Sequence, residues 1–568
     1  MIKKKIEILR KKIKKFKIDG YVIPKNDDYF TEYSKINRLK IISNFSGSAG
    51  IAIILQNKNY LFTDGRYTIQ SQIESGKNFK IVNYEKLIDC DLFKNLTLGI
   101  DPKLFTYNQI KKFFLKNNKI KFINKNLIDE IEKQKIKTLY PFFPLNKKIV
   151  GESSNSKINK ISKYLKKNKS DFIFISAPEN VAWILNIRGK DCPNSPIPNS
   201  RLIIGKKKEI FLISEIEKCR KLFQKKIINL NQFIDIKELP KKIGILKGKK
   251  FIIDDKSCSI FFENLINAKF EILKKEDPIY YLKSVKNRTE IKNMIKAHIS
   301  DGVALTKFIY WIKNINKKKI TEVQAQNKLE KFRKKNKDYL YPSFDTIAGA
   351  GKNGAIVHYR ATKKNCKIIN NKDIFLCDSG GQYKYGTTDV TRTICFSSQN
   401  QNIKNIFTKV LKGHIAVAST NLRKHNIGKK IDIRARRFLK KDNLDYAHGT
   451  GHGVGFFLNV HEGPQSISKN NKIKIKEGMI LSNEPGYYKK NKFGIRIENL
   501  IYVKKSNHKE FFENLTMAPI EKDLINFKLL TSLEKDYLFK YHIKVYSKIS
   551  KFLNSKENQW LASFIEHF

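Results

Sequence analysis

Residues 374–396, IFLCDSGGQYKYGTTDVTRTICF, decide how this chain folds around its chemistry. Two apolar runs flank a turn region that holds Gly380, Gly381 and Gly386, a pattern that predicts an antiparallel hairpin. The first strand delivers Asp378 and the second delivers Asp389, so the two carboxylates are expected to face each other across the hairpin. Such a pair chelates hard cations. One aspartate beside a glycine carries little weight, because aspartate is common in turns.

The neighbouring segments supply the rest of the argument. Upstream, FDTIAGAGKNGAIVHYR (344–360) places His358 after a glycine-rich turn. Downstream, YAHGTGHGVG (446–455) carries His448 and His452 in a stretch too rich in glycine for helix, where the backbone is expected to approach a ligand closely. VHEGP (460–464) adds His461, and LSNEPGYY (481–488) ends an apolar strand on Glu484, held by the Pro485-Gly486 turn. In FGIRIENLIYV (493–503), strand alternation puts Ile495 and Ile497 on one face and Arg496 and Glu498 on the other. A polar face on so apolar a strand suggests an internal site. Each of these residues has an ordinary structural explanation alone, but four of the chain's ten histidines fall in these short segments beside acids at strand ends. One imidazole and four carboxylates suit Mn²⁺, Zn²⁺, Co²⁺ or Fe²⁺, and can hold two ions ~3.5–4 Å apart with a bridging hydroxide. That chemistry is hydrolytic.

Composition bounds the remainder. At 568 residues the chain exceeds one hydrophobic core, and 41% apolar content suffices for several. No stretch approaches the ~20 apolar residues of a membrane helix. The start, MIKKKIEILRKKIKKF, repeats Ile6, Leu9, Ile13 and Phe16 at helical spacing and so reads as an amphipathic helix, not a signal peptide. A cytoplasmic location is therefore expected. Seven cysteines without a CxxC pair fit a reducing compartment. The formal charge of +60 is mostly lysine, spread along the chain with abundant Ile and Asn. Those residues share A/T-rich codons, so nucleotide bias accounts for the charge without a dedicated nucleic-acid partner.

A weak repeat links 11–29 (KKIKKFKIDGYVIPKNDDY) to 160–181 (KISKYLKKNKSDFIFISAPENV), with Asp171 standing where Asp19 stands. Two related α/β domains joined near TLYPFFPLNKK (138–148) would produce it. A long helical pattern starts near 276, strands and glycine turns fill 341–503, and a helical, lysine-rich tail is expected after 504. In that tail Leu533, Tyr537, Phe539 and Tyr541 are expected to supply a packing face.

The series LCDSGGQYKYGTTDVTRT, HGTGHGVG, NVHEGP, NEPGYY and GIRIEN resembles the pita-bread metallopeptidases, and within them Xaa-Pro aminopeptidase of the long, three-domain type. SGSAGIAIILQNKNYLFTDGRYTIQ (46–70) and PENVAWILNIRG (178–189) extend the resemblance to nearly the whole chain. It implies an α/β (α+β) chain: two creatinase-like α/β domains at 1–140 and 150–283, a pita-bread catalytic domain at 284–504 and a helical subdomain at 505–568. It implies two divalent ions, Mn²⁺ first, with Zn²⁺ or Co²⁺ as alternatives. Asp378, Asp389, His452, Glu484 and Glu498 would be the ligands, and Glu484 also the general base. His358 and His461 would stabilise the tetrahedral intermediate, while His448, Arg496 and Arg66 would contact substrate or line its groove. A homodimer is implied too. A prolidase-like dipeptidase and a non-catalytic pita-bread binding module are the alternative readings.

Lysine spread over all segments can meet phosphates but offers no base-reading motif. Binding to DNA or RNA is therefore expected to be weak, indifferent to sequence and lost between 50 and 200 mM salt, as roughly expected of phosphate contacts alone. Electrophoretic or anisotropy titrations on two unrelated sequences test this, and a selective complex that survives the higher salt would contradict it.

Overall fold

The computed structural model describes residues 2–88, 90–132, 138–315 and 320–566, and the chain divides into two compact units, Met1–Ile279 and Tyr280–Phe568.

The first unit holds two six-stranded sheets of one design. In the first, the strand order is Lys80–Asn83, Asn59–Thr63, Ile51–Leu55, Gly20–Pro24, Thr97–Ile100, Lys119–Phe122. In the second it is Phe233–Asp235, Ile210–Ser214, Arg201–Gly205, Phe172–Ile175, Lys250–Ile253, Glu271–Lys274. Each sheet starts from a fully buried strand that pairs antiparallel on one side and parallel on the other. The internal repeat is therefore real, and its two aspartates do the same work. Asp19 accepts the amide of Thr97, while Asp171 accepts the amides of Lys249 and Lys250. Each carboxylate thus satisfies the exposed donor that begins the neighbouring parallel strand. The first helix, Ile2–Lys15, buries Ile6, Leu9 and Ile13 as their spacing predicts.

The second unit opens with the helix Arg288–Asn314, started by a reciprocal capping box between Asn287 and Glu290. Two antiparallel sheets frame the acids and histidines singled out in the sequence. One runs Ile347–Ala350, Ile374–Ser379, Val390–Cys395. The other runs Glu462–Ile467, Gly451–Gly453, Ile480–Asn483, Asn499–Ser506, Lys509–Asn514. The helices Gln401–Ala418 and Ser532–Ile549 share one hydrophobic core with Ile495, Ile497 and Met517.

Three expectations need correction. Asp378 is registered with Thr391, not with Asp389, so the two aspartates sit diagonally. The residues between them form a second small sheet, Tyr339–Pro342 with Gly381–Tyr383 and Gly386–Thr387, which offsets the register. The tail does not turn helical at 505. Asn499–Ser506 continues into a hairpin with Lys509–Asn514 through Asn507 and His508, both at positive φ (46° and 58°), the two-residue turn that suits strand twist. Asn-His lacks the glycine that usually announces such a turn. Finally, Leu533 is 82% exposed. The buried face of that helix is Leu538, Tyr541, Val545 and Ile549, a helical period on which Leu533 does not fall. Tyr537 packs at its edge. Burial of Leu538, Val545 and Ile549 is worth roughly 1.5–3 kcal/mol each, enough to dock the helix.

His542 on the same helix donates from Nδ1 to the Leu538 carbonyl and accepts the Ile520 amide at Nε2. Burial, helped by the nearby Arg392, pushes its pKa down to about 4, against the pull of the Leu538 carbonyl. The folded chain thus keeps this ring neutral, while the unfolded chain takes up a proton near the ordinary value of about 6.5. Its contribution is complete above pH 6.5 and drains away as pH falls towards 4, by roughly 3 kcal/mol in all. Thermal melts between pH 7.5 and 4.5 should show a smaller acid loss in His542→Gln than in the parent; equal slopes would contradict this.

Candidate active site

Asp378 closes the strand Ile374–Ser379, and Asp389 stands immediately before Val390–Cys395. A side chain on the intervening Gly380 would meet the Thr388 carbonyl at 2.0 Å, so the turn demands glycine. His452 lies in the short strand Gly451–Gly453, not in a loop. A Cβ on Gly451 would come within 1.9 Å of the Ser482 carbonyl. The close approach expected of these glycines is therefore to the neighbouring strand. Glu484 follows Ile480–Asn483, and Glu498 sits in the break between Phe493–Arg496 and Asn499–Ser506. Both faces of that segment are buried: Arg496 and Glu498 are 2% and 1% exposed, beside Ile495 and Ile497 at 0% and 1%.

These residues converge. Single donor atoms of Asp378, Asp389 and Glu498 lie within 4.8 Å of one another, as do those of His452, Glu484 and Glu498, and of Asp389, His452 and His461. His452 donates from Nδ1 to the Gly453 carbonyl, which aims Nε2 at Asp389 and Glu484, 3.4 Å from each. All five expected ligands thus meet. Burial raises the Asp378 carboxyl to about 6; Arg496 opposes the shift, while Asp389 and Glu484 add to it. Glu498 is pushed well up by burial and then by the other three acids. Burial would lower His452, but Asp389 and Glu484 prevail and hold it at about 9. Crowded anions of this kind, with Asp378 Oδ1 buried and without a protein partner, fit divalent cations, which would neutralise them.

A second set of side chains aims the first. Arg496 donates from Nη2 to Asp378 Oδ2 (2.6 Å), from Nε to Thr391 Oγ1 (3.0 Å) and from Nη1 to the Tyr488 hydroxyl (2.6 Å). Thr391 in turn donates to Glu498 Oε2 at 2.7 Å, and Ser482 to Glu484 Oε1 at 3.1 Å. His448 Nε2 accepts from the Tyr488 hydroxyl, and its Nδ1 is 4.0 Å from Glu484 Oε2. Burial, with help from Arg496, lowers His448 to about 4, so its ring is neutral. The loop that carries it is pinned to the helix Gly428–Lys440, where Arg436 pairs with Asp432 and donates to the His448 carbonyl. Thr450 donates to Asp432 as well.

His461 stands against His452, ring centroids 4.4 Å apart and nearly perpendicular. Beside it, buried Glu462 is gripped by Lys286 and by Lys283. His358 is half-buried in a turn after Gly351–Ala355 and belongs to none of the donor groups found among the described residues. Arg66, in the first unit, donates from Nε and Nη2 to the two oxygens of Asp64.

Thr391, Tyr488 and Ser482 escape a reading by residue chemistry. Strand alternation from Asp389 would have found Thr391 and Thr393, which accompany the ligands on one face and hold Glu498 and Arg496 respectively.

Comparison with known proteins matches residues 292–505 to metallopeptidase family M24, 5–131 and 132–290 to the creatinase/prolidase N-terminal domain, and 511–568 to the C-terminal region of peptidase M24. The chain is 37% identical to Xaa-Pro aminopeptidase 1 of Dictyostelium discoideum, over 100% of this chain and 96% of that protein. It is 36% identical to a Laccaria bicolor protein named "Probable Xaa-Pro aminopeptidase P", over 97% and 91%. Among solved structures, X-prolyl aminopeptidase of Caenorhabditis elegans, described as a cytosolic enzyme with a di-nuclear active site, superimposes with a TM-score of 0.91 at 27% identity, covering 100% of this chain and 99% of that one. A prolidase of Pyrococcus horikoshii, 28% identical, matches 65% of this chain and 99% of its own with a TM-score of 0.54. Matches of this length and identity establish that the chain belongs to the long, three-domain Xaa-Pro aminopeptidases of the pita-bread metallopeptidases, family M24.

Proposed function

We propose that the protein removes the N-terminal residue from peptides whose second residue is proline, using two divalent ions held by Asp378, Asp389, His452, Glu484 and Glu498. The observation that carries this reading is the convergence of four carboxylates and one imidazole in overlapping donor groups, in a chain related to Xaa-Pro aminopeptidases along its length. The prolidase reading is disfavoured because the Pyrococcus enzyme accounts for only 65% of the chain. Retention of all five donors speaks against a non-catalytic binding module.

Two ions bound there would lower the pKa of a water molecule and polarise the scissile carbonyl. Glu484 is held at Oε1 by Ser482, and its pKa is lowered because the charged His452, with Arg496, outweighs burial. It is thus an ionised acceptor, suited to take a proton from water and pass it to the proline nitrogen as the peptide bond breaks. His461 and His358 are assigned to the developing oxyanion, His448 to the groove and Arg66 to substrate, the roles of His358 and Arg66 on resemblance alone. Arg496, expected to contact substrate or line its groove, is instead assigned a role through Asp378, whose oxygen it fixes, because its donors are taken up by Asp378, Thr391 and Tyr488. Proline's fixed φ and missing N–H suit a pocket that expects no donor at that position. Mn²⁺ is proposed as the metal and the cytoplasm as the location; among the described residues no helix is long and apolar enough to cross a membrane. The domain limits proposed are 1–140, 150–283, 284–504 and 505–568.

Asp389→Ala is expected to purify with less metal and almost no turnover, and the parent to cleave Arg-Pro-Pro but neither Arg-Ala-Ala nor N-acetylated peptides. Full metal content with full activity in the variant, or equal cleavage of the alanine peptide, would contradict the reading. A homodimer is also proposed, supported by the exposed Leu529, Leu533, Ile543 and Phe552 of the tail. Light scattering should give about twice the 66.3 kDa chain mass; a monomer at micromolar concentration would refute it.

A further inference from the structure

One histidine outside the expected set is built into the same site. His414 lies on the helix Gln401–Ala418 and is fully buried. Its Nδ1 donates to the Asn483 carbonyl at 3.0 Å, and the Asn483 side chain donates back to the His414 carbonyl at 2.9 Å. This closed pair ties the helix to the residue immediately before Glu484. The same helix packs against the strand Phe493–Arg496, which leads into Glu498. Among the described residues neither the buried Nε2 nor Asn483 Oδ1 has a hydrogen-bond partner, so neither group can rotate to an equivalent second arrangement without losing the bonds it has. The ring is neutral: burial, and then the nearby Arg392, push its pKa down to about 3 against the pull of the Asn483 carbonyl. A leucine would fill this space as well if packing were all that mattered. The chain instead keeps a polar ring in a buried core, bonded to the backbone beside Glu484.

We propose that His414 is a positioning residue for the metal centre, setting the separation of Glu484 and Glu498 through its Nδ1–H bond to the Asn483 carbonyl. The inference rests on the ligand assignment above. Partners that orient ligands typically change metal affinity or activity by 10–100-fold when removed.

The test compares two polar variants in the full-length protein. In His414→Asn the side-chain amide can occupy the place of Nδ1 and keep the donor. In His414→Gln the amide reaches the place of Nε2 and the Asn483 carbonyl loses its partner. Mn²⁺ titration of metal-free protein by calorimetry, with thermal melts of the same samples, separates positioning from packing. We expect His414→Gln to bind Mn²⁺ roughly 10–100-fold more weakly and to lose kcat more than it raises KM, while His414→Asn stays within about threefold of the parent. Equal Mn²⁺ affinity in the two variants, whether both are unchanged or both impaired, would overturn the proposal, because packing alone does not distinguish the nitrogen positions. If neither variant folds, Asn483→Ala, which removes only the return bond, should keep the parent's affinity within about threefold, and a loss like that expected for His414→Gln would count against Nδ1 as the positioning atom. A parent that itself takes up no Mn²⁺ would instead refute the metal centre, and this inference with it.

Discussion

Four carboxylates share one buried space in this protein, and their mutual repulsion is the condition that every neighbouring element answers. Left to themselves, Asp378 and Glu498 would take up protons or turn away, as their raised pKa values indicate. Each of the four is instead held by a specific donor: Arg496 on Asp378, Ser482 on Glu484, Thr391 on Glu498, His452 on Asp389. None of these donors neutralises the set, so the negative potential survives for a cation to use. The arrangement fixes geometry while leaving charge unpaid.

Arg392 extends that constraint to the rest of the unit. It is 1% exposed and donates to the carbonyls of Thr391, Glu498, Ala518 and Pro519, to Asn499 Oδ1 and to the Tyr541 hydroxyl. One cation therefore joins the Asp389 strand, the Glu498 backbone and the C-terminal region, with no carboxylate bound directly to it. A lysine has three donors and no planar fork, so it could not meet so many acceptors. The C-terminal region is thus part of the scaffold of the site, because Tyr541 reaches the Glu498 backbone through a single guanidinium. Arg333 does similar work on the other side, paired with Asp301 and bonded to Ser379 next to Asp378.

Much of this is legible in the sequence, and the reason is chemical. Ligand atoms must be Asp, Glu or His, and glycine is forced where strands touch at Gly380 and Gly451, so site and turns leave marks on residue type. The Asp19–Asp171 repeat is legible for the same reason: a free strand-end amide needs an acceptor. Residues that act by orientation leave weaker marks. Thr391, Tyr488 and His414 are types that occur everywhere, and their roles depend on which distant strand lies beside them. The strand Lys509–Asn514 hid inside a lysine-rich stretch because the turn before it uses Asn507 and His508 in place of glycine. The exposure of Leu533 shows that an apolar residue is informative only together with its helical phase.

The formal charge of +60 and an anionic metal site coexist because the two act over different ranges. A dication ~4 Å from one carboxylate gains roughly 8 kcal/mol at an effective dielectric of ~20. A lysine ~30 Å away repels the same ion through water by about 0.3 kcal/mol before screening, and by less than ~0.01 kcal/mol once a Debye length of ~8 Å is applied. Even ~60 such lysines together oppose binding by less than ~1 kcal/mol. Four buried carboxylates therefore govern the ion, however basic the surface becomes. The surface charge is left to govern only what touches it directly, which is why it can drift with nucleotide composition while the residues of the site cannot.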